Sequence, residues 1–231
     1  MIRALRYTSG LDKVDAAIAL QVATYYMTLE AWVYVATLPA NPRPVVWVKT
    51  PAGGTLAILT ITGSTLSASF TDNAGRTLSR TGTLTTHKTS HVMMVWRYDL
   101  PIVLLYVDKV LTGGATTSPP AMTHSGSSAS LYPVQIGGAT GDALTTGFAG
   151  WIGWVRISKT ARTASSVSLA GTPPAVDSNT LAQWNMAEGT GAVLDDAVGV
   201  ASHDGAITGA RWSYLPQPMR HLNVGPRSGP A

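Results

Sequence analysis

Cysteine is absent from this 231-residue chain, and charged residues are scarce. Without cysteine there can be no disulfide framework, no catalytic thiol and no thiolate metal site. Charged side chains make up 12% of the residues, which is about half the usual share. A surface with so little charge must consist largely of Thr, Ser, Gly and Ala. Such a surface is typical of exposed strands and turns, or of a protein covered by neighbouring molecules.

Long apolar runs are also missing. No stretch approaches the length of about 20 residues that a membrane-spanning helix needs, so we expect no membrane partner. Residues 1–6 lack the apolar region of a secretory signal, so we expect synthesis in a cytoplasm without classical export. The formal net charge of +4 comes from basic residues that are scattered along the chain. This distribution argues against nucleic acid as a partner.

What the sequence does contain is a series of short strand-like segments separated by turn residues. Alternating residues predict a strand at 27–38, and residues 91–98 and 102–107 form the clearest hairpin. Residues 159–169 are the one segment with the character of a short helix. Because no long amphipathic helix lies between strands, a parallel βαβ fold is excluded. The pattern predicts an all-β, antiparallel two-sheet jelly-roll sandwich with one short helix.

Four segments resemble motifs of the concanavalin A-like lectin and glucanase jelly rolls, in particular their laminin-G-like branch. In the family's order they are LEAWV at 29–33, HVMMVWRYDLPIVLLYVDKVLTG at 91–113, GFAGWIGWVRIS at 147–158 and LAQWNMAEGTG at 181–191. The resemblance implies one concanavalin A-like sandwich over residues 1–213. The remaining residues, 214–231, are rich in Pro and Gly and are predicted to form an extended C-terminal arm.

Two positions depart from the family's motifs. The family's IDEVRI strand often carries an Asp that helps to hold a structural calcium ion, and Gly153 stands at that position here. A calcium site that relies on this carboxylate is therefore not expected. Asp108 and Lys109 replace the usual Asn-Gly turn and are less suited to a positive φ angle. We expect neither a metal nor a cofactor.

Catalytic patterns are weak throughout the chain. Retaining glycoside hydrolysis needs two carboxyl groups about 5–5.5 Å apart, but Glu30 and Glu188 have no acidic neighbour at strand spacing. The acidic pair at 195–196, with residues 203–204, is an alternative as a metal cluster. Asp also stabilises turns by bonding nearby backbone, and we favour that interpretation. No histidine lies in a zinc motif, so we predict a non-enzymatic protein without catalytic residues.

Aromatic residues are the best candidates for contact with a ligand or a partner. Trp32, Trp96 and Trp184 lie on strands that are predicted to face the core. Trp151 and Trp154 are predicted to lie on opposite faces of one strand, so that one of them points outward. The candidate contact residues are Trp151, Trp154, Arg156, Tyr214, Arg220, His221 and Arg227.

Three hypotheses about function follow. The first is a non-enzymatic structural or adhesive subunit of a larger assembly, most simply a phage capsid-decorating or tail protein on the virion surface, with other protein subunits and copies of itself as partners. Sparse charge, the missing export signal and the C-terminal arm motivate it. The second is a carbohydrate-binding, lectin-like module with glycans as partners, for which an extracellular location is the alternative. The third and most remote is a glycoside hydrolase.

Overall fold

The computed structural model describes residues 2–8, 12–20, 26–113, 131–138, 148–166 and 169–216. Within these ranges the chain forms sixteen β-strands and two short 3-10 turns, at Ala164–Ser166 and Ala201–His203. The strands are β1 (Arg3–Tyr7), β2 (Lys13–Ala19), β3 (Tyr26–Val35), β4 (Arg43–Lys49), β5 (Thr55–Thr62), β6 (Thr65–Thr71), β7 (Thr77–Thr83), β8 (Thr89–Arg97), β9 (Ile102–Val107), β10 (Val110–Thr112), β11 (Leu131–Ile136), β12 (Gly150–Ser158), β13 (Thr180–Trp184), β14 (Val193–Leu194), β15 (Gly205–Thr208) and β16 (Arg211–Tyr214).

The strands form two antiparallel sheets of eight strands each. Sheet A has the order β10-β9-β8-β3-β12-β1-β16, and β13 pairs with the second half of β12. Sheet B has the order β14-β15-β2-β11-β4-β5-β6-β7. The predicted all-β, antiparallel jelly-roll sandwich is confirmed, as is the predicted hairpin of β8 and β9.

The hydrophobic core lies between the two sheets. Alternate residues of each strand point into it, so that Val33 and Val35 of β3 are buried in the same cluster as Leu5 of β1. Phe70 of sheet B stacks on Trp96 of sheet A, with ring centroids 3.9 Å apart. The residues between these core positions point away from sheet B and form the outer face of sheet A.

The predicted short helix at 159–169 is found, within the described residues of this segment, only as the 3-10 turn Ala164–Ser166. Ser and Thr compete for backbone hydrogen bonds and disfavour helix, and here the segment is tied to β3 instead. The Thr28 hydroxyl donates to the carbonyl of Thr160 and accepts from the backbone N–H of Arg162. Within the described residues, no helix is long and apolar enough to cross a bilayer.

A β-bulge in β12 overturns the prediction for its two tryptophans. The ladder between β12 and β3 pairs Trp151 with Tyr34, skips Gly153 and resumes with Trp154 opposite Trp32. One extra residue on one strand reverses the alternation of its side chains. Trp151 and Trp154 therefore lie on the same face of sheet A, the outer face, where both belong to one apolar cluster.

The described chain continues past residue 213, the predicted end of the sandwich. Tyr214 is the last residue of β16, and Leu215 is buried in the apolar cluster on the outer face of sheet A. The backbone N–H of Leu215 donates to the carbonyl of Ile2. Most of the predicted arm, residues 217–231, lies outside the described residues, and so do the candidate contacts Arg220, His221 and Arg227.

Candidate functional site

A row of side chains crosses the outer face of sheet A at the start of β12. Register pairs Arg211 of β16 with Arg6 of β1, Arg6 with Trp151 of β12, and Trp151 with Tyr34 of β3. Directly paired residues of an antiparallel sheet point to the same face. We call these four residues the Trp151 row. Because neighbouring strands lie about 4.8 Å apart, the row brings together residues from both ends and the middle of the chain.

Trp151 is the half-buried centre of this row. The guanidinium carbon of Arg6 lies over the indole, 5.2 Å from the ring centroid. On the other side, the ring of Tyr34 meets the indole edge to face at 5.3 Å. The indole Nε1 donates a hydrogen bond to the Ser213 hydroxyl at 3.3 Å. These contacts hold the ring in one orientation while part of it stays open to solvent.

A shallow cleft of about 250 Å³ opens beside Trp151. Arg6 and Thr8 line one wall, Thr37 lines the other, and Gly150 and Trp151 form the floor. Gly150 is required there because a Cβ at this position would overlap the backbone carbonyl of Tyr34. The cleft thus combines an aromatic surface with hydroxyl groups and a guanidinium. This combination can offer both stacking and hydrogen bonds to a small polar ligand.

The row also carries positive charge. Arg6 and Arg211 are both exposed and stand opposite each other in the ladder of β1 and β16. Among the residues that the structure describes, neither forms an ion pair with a carboxylate. Like charges directly opposite in a sheet are destabilising. The site is therefore electrostatically suited to an anion.

Trp154, a predicted contact residue, lies inside the protein. Its side chain is 0% exposed and packs with Trp32 and Leu215. Its indole Nε1 donates to the carbonyl of Gly171, 3.2 Å away. Residues 169–177 cover this part of the outer face, so the indole is not available to a ligand in this structure.

Arg156, another predicted contact, is also buried. Its guanidinium donates two hydrogen bonds, from Nε and Nη2, to the carboxylate of Glu30 at 3.0 and 3.1 Å. His91 Nε2 lies 3.3 Å from the same carboxylate. Burial lowers the pKa of Arg156, while the neighbouring Glu30 charge opposes this shift. Arg156 therefore serves the internal structure of sheet A.

Arg162 extends this ion network to the segment that covers the outer face. Its Nη1 and Nη2 donate to the carboxylate of Asp177 at 2.9 and 2.7 Å, and its Nε donates to the Ser158 hydroxyl. Its Nε also lies 3.7 Å from the Glu30 carboxylate. The hydrogen bonds from Arg162 hold the pKa of Asp177 well below its usual range. The network fastens Arg162, and through it Asp177, to β3 and β12.

Tyr214, the remaining described candidate, lies away from Trp151. It is 50% exposed and lines a cleft of about 150 Å³ together with Arg3 and Glu188. A second cleft of about 370 Å³ is also lined by Arg3, together with Asn185. The structure therefore does not bring Tyr214 together with Trp151 in one pocket.

Asp196, His203 and Asp204, the alternative metal cluster, lie in a turn. Asp196 accepts hydrogen bonds from the backbone N–H groups of Gln183 and Val198, and its other oxygen lies 3.2 Å from His203 Nδ1. Asp204 accepts from the backbone N–H of Asp196. These contacts agree with the interpretation as turn residues. In the described part of the chain, no three acidic or histidine side chains are placed to hold a metal ion.

Gly153, where the family's motif often has Asp, lies under apolar side chains. A Cβ at this position would come within 3.2 Å of both Leu215 and Trp32. A carboxylate there would be buried without a polar partner, which is costly. The local packing thus agrees with a glycine rather than with a metal ligand.

Comparison with known protein families identifies the superfamily of this chain. The family model described as the concanavalin A-like lectin/glucanases superfamily matches residues 9–168. The chain belongs to this superfamily. No curated protein matches the sequence significantly.

Solved structures agree with the superfamily fold at low sequence identity. One is a "putative carbohydrate binding protein" from Bacteroides ovatus, with a TM-score of 0.69, 17% identity and coverage of 94% of this chain and 61% of that protein. Another is a heptameric SAP-like pentraxin from Limulus polyphemus, with a TM-score of 0.65, 14% identity and coverage of 93% of this chain and 95% of that one. This chain thus spans about three fifths of the Bacteroides protein's length.

Sequence reasoning identified Trp151 but missed the residues around it. The RALRY segment buries Leu5 and Tyr7, and this alternation already predicts that Arg6 points outward. That Arg6 meets Trp151 and Arg211 depends on strand order, which no local pattern reveals. The pairing of Glu30 with Arg156 was missed for the same reason.

Proposed function

We propose that this member of the concanavalin A-like superfamily is a non-enzymatic carbohydrate-binding module. The observation that carries the proposal is the half-buried Trp151, held between Arg6 and Tyr34 at the floor of an open cleft. A sugar ring presents C–H groups on its face and hydroxyls on its edge. The part of the indole that stays open to solvent between Arg6 and Tyr34 suits the first, and Arg6 and Thr37 suit the second.

The environment of Glu30 supports binding rather than hydrolysis. Glycoside hydrolysis uses one carboxyl group as a proton donor and another as a nucleophile or base. Glu30 is 0% exposed, and its carboxylate is held by Arg156 and His91. Glu188 accepts a hydrogen bond from the backbone N–H of Asp195 at the edge of the sandwich. Neither glutamate faces the cleft beside Trp151.

A glycan array probed with the full chain, followed by titration calorimetry on the oligosaccharides that bind, tests this proposal. Trp151→Ala should weaken binding at least tenfold, a loss of about 1.4 kcal/mol, because a central aromatic anchor carries much of the binding energy. Tyr98→Ala is the matched control. Tyr98 is also an exposed aromatic residue, but it follows the opposite end of β8 from the Trp151 row.

Both variants must first show the wild-type circular dichroism spectrum and a cooperative thermal transition. Loss of binding in Trp151→Ala with retention in Tyr98→Ala supports the proposal. If no glycan binds the wild type, or if both variants bind as well as the wild type does, the proposal is wrong.

A second candidate function is the structural or adhesive subunit of a larger assembly, at a virion surface or outside a cell. Exposed apolar residues on β10, the edge strand of sheet A, favour it. Val110 is 66% exposed and Leu111 is 55% exposed. An edge strand with apolar side chains is a ready surface for another protein chain. Such a subunit could also bind glycans, so the two functions are compatible.

Light scattering on the full chain tests this second candidate. Assembly through β10 predicts an oligomer that becomes a monomer in the variant Val110→Lys, Leu111→Glu. A monomeric wild type across the micromolar range, or an oligomer that the double substitution leaves intact, contradicts assembly through this strand.

A further inference from the structure

We propose that the Trp151 row selects saccharides that carry an anionic group, a carboxylate or a sulfate. This inference rests on the proposed carbohydrate-binding function and names the class of sugar that the site takes. It starts from the position of two arginines rather than from the tryptophan.

The geometry of the row places the positive charges to one side of the aromatic surface. Arg6 lies one strand away from Trp151, and Arg211 lies two strands away. With strands about 4.8 Å apart, the Cα of Arg211 is about 10 Å from that of Trp151. A sugar ring seated on Trp151 would hold a charged substituent next to Arg6, and the following residue of an oligosaccharide would reach Arg211.

The two arginines lack the carboxylate partner that three other arginines on or beside sheet A have. Arg156 pairs with Glu30, Arg162 with Asp177 and Arg97 with Asp99. Among the described residues, Arg6 and Arg211 have no such carboxylate, although they face each other across one strand pair. Paired like charges cost stability in a sheet. An anion between them would relieve this repulsion, so the site favours an acidic ligand over a neutral one.

Arginine is well suited to the role. Its planar guanidinium can donate two parallel hydrogen bonds to a carboxylate or a sulfate. Arg6 already lies over the indole of Trp151, so its orientation is restricted before the ligand arrives. A restricted donor loses less side-chain entropy on binding.

The four residues of the Trp151 row include no acidic side chain. Beyond Tyr34, the register continues to Thr89 of β8. On the next outer positions towards the middle of the sheet, Ala4 pairs with Ser213. On the other side of the row, the nearest carboxylate is that of Asp12, which is buried and accepts hydrogen bonds from the N–H and hydroxyl of Thr8.

Calorimetric titration with matched oligosaccharides tests the inference. The probes are galacturonic acid hexamers, the same hexamers with the carboxyl groups reduced to neutral galactose, and sulfated galactose hexamers. The proteins are the wild type, Arg6→Gln, Arg211→Gln, Trp151→Ala and the control Arg97→Gln. The control removes one exposed positive charge at the opposite end of sheet A.

We expect the wild type to bind at least one acidic hexamer about tenfold or more tightly than the neutral one. Arg211→Gln should remove most of that preference and leave binding of the neutral hexamer unchanged. Arg6→Gln should weaken binding of the acidic hexamer more than that of the neutral one, because Arg6 also contacts Trp151. Arg97→Gln should retain the preference. Comparison of the carboxylate and sulfate probes identifies which anion the site prefers. The preference should shrink as salt rises, because ions screen exposed charges.

Failure of this inference differs from failure of the proposed function. Equal binding of acidic and neutral hexamers, weakened in Trp151→Ala but not in Arg211→Gln, overturns the acidic preference and leaves carbohydrate binding in place. If, in a competition experiment, polyacrylate at equal charge displaces the acidic hexamer while the hexamer still binds Trp151→Ala, binding reflects charge alone. This result overturns both the acidic preference and the proposed carbohydrate-binding function. Absence of binding to all three hexamers overturns the acidic preference, and the glycan array then decides whether the proposed function stands.

Discussion

Replacing Glu30 by Gln should destabilise the protein strongly, although the two side chains have nearly the same shape. The Glu30 carboxylate is 0% exposed and accepts two hydrogen bonds from the guanidinium of Arg156, which is itself 2% exposed. The substitution removes the negative charge and leaves a buried guanidinium without a counter-ion. Breaking one side of a buried ion pair costs about 3–5 kcal/mol.

The loss of stability in Glu30→Gln can be measured by urea denaturation and by thermal unfolding. For a domain of this size, 1 kcal/mol corresponds to about 2–4 °C in the midpoint, so the expected drop is about 6–20 °C. Asp99→Asn is the matched control. Asp99 also pairs with an arginine, Arg97, but both lie at the surface, so we expect no measurable change in its midpoint.

A double substitution separates the charge from the packing. If Glu30→Met and Arg156→Met are combined, no buried charge is left alone, and much of the lost stability should return. The reasoning would be refuted if Glu30→Gln unfolds within about 1 kcal/mol of the wild type, the range of an exposed pair. Arg156 would then be compensated by something other than Glu30.

Two further predictions concern the covering segment and the floor of the cleft. Because Arg162 lowers the pKa of Asp177 in the folded protein, the ionised carboxylate stabilises the fold above the unfolded pKa of about 3.9, and this contribution is lost as the pH falls below it. Thermal unfolding should therefore show Asp177→Asn to be less stable than the wild type at pH 7, with a difference that shrinks below about pH 4; a difference independent of pH would contradict the assignment. Gly150→Ala should cost about 1–3 kcal/mol and weaken glycan binding, because the new Cβ would overlap the Tyr34 carbonyl beside Trp151. Denaturation and calorimetry check this against Gly153→Ala, whose Cβ would meet only side-chain atoms; equal effects of the two would refute the steric argument.

Local sequence patterns were sufficient for the strands and for the superfamily. The alternation in β3 and the paired runs of β8 and β9 are both found in the structure. These features follow from the local preference of alternating and β-branched residues for strands, although β3 and β8 are buried on both faces. The four family motifs add strand order only through resemblance, and the family match over residues 9–168 covers the first three of them.

The same local reasoning failed where neighbours decide conformation. The segment after β12 has no strong preference of its own, and its contacts with Thr28 and Asp177 replace the predicted helix. The bulge at Gly153 moved Trp154 to the face that carries Trp151. A single inserted residue changes which face every later side chain occupies, and nothing in the spacing of the tryptophans signals it.

The candidate site shows most clearly which features the sequence determines and which depend on the tertiary structure. The sequence by itself identified Trp151 as a residue with an aromatic side chain on a strand, and the RALRY alternation determined that Arg6 points away from the core. Only the tertiary structure placed Arg6, Arg211 and Tyr34 beside Trp151, since β16, β1, β12 and β3 are neighbours in sheet A but distant in the chain. Strand pairing is determined by contacts between distant parts of the chain, because both sheets must bury their inner faces against each other. The composition of a surface row therefore depends on the whole fold, whereas the direction of each side chain depends on its own strand.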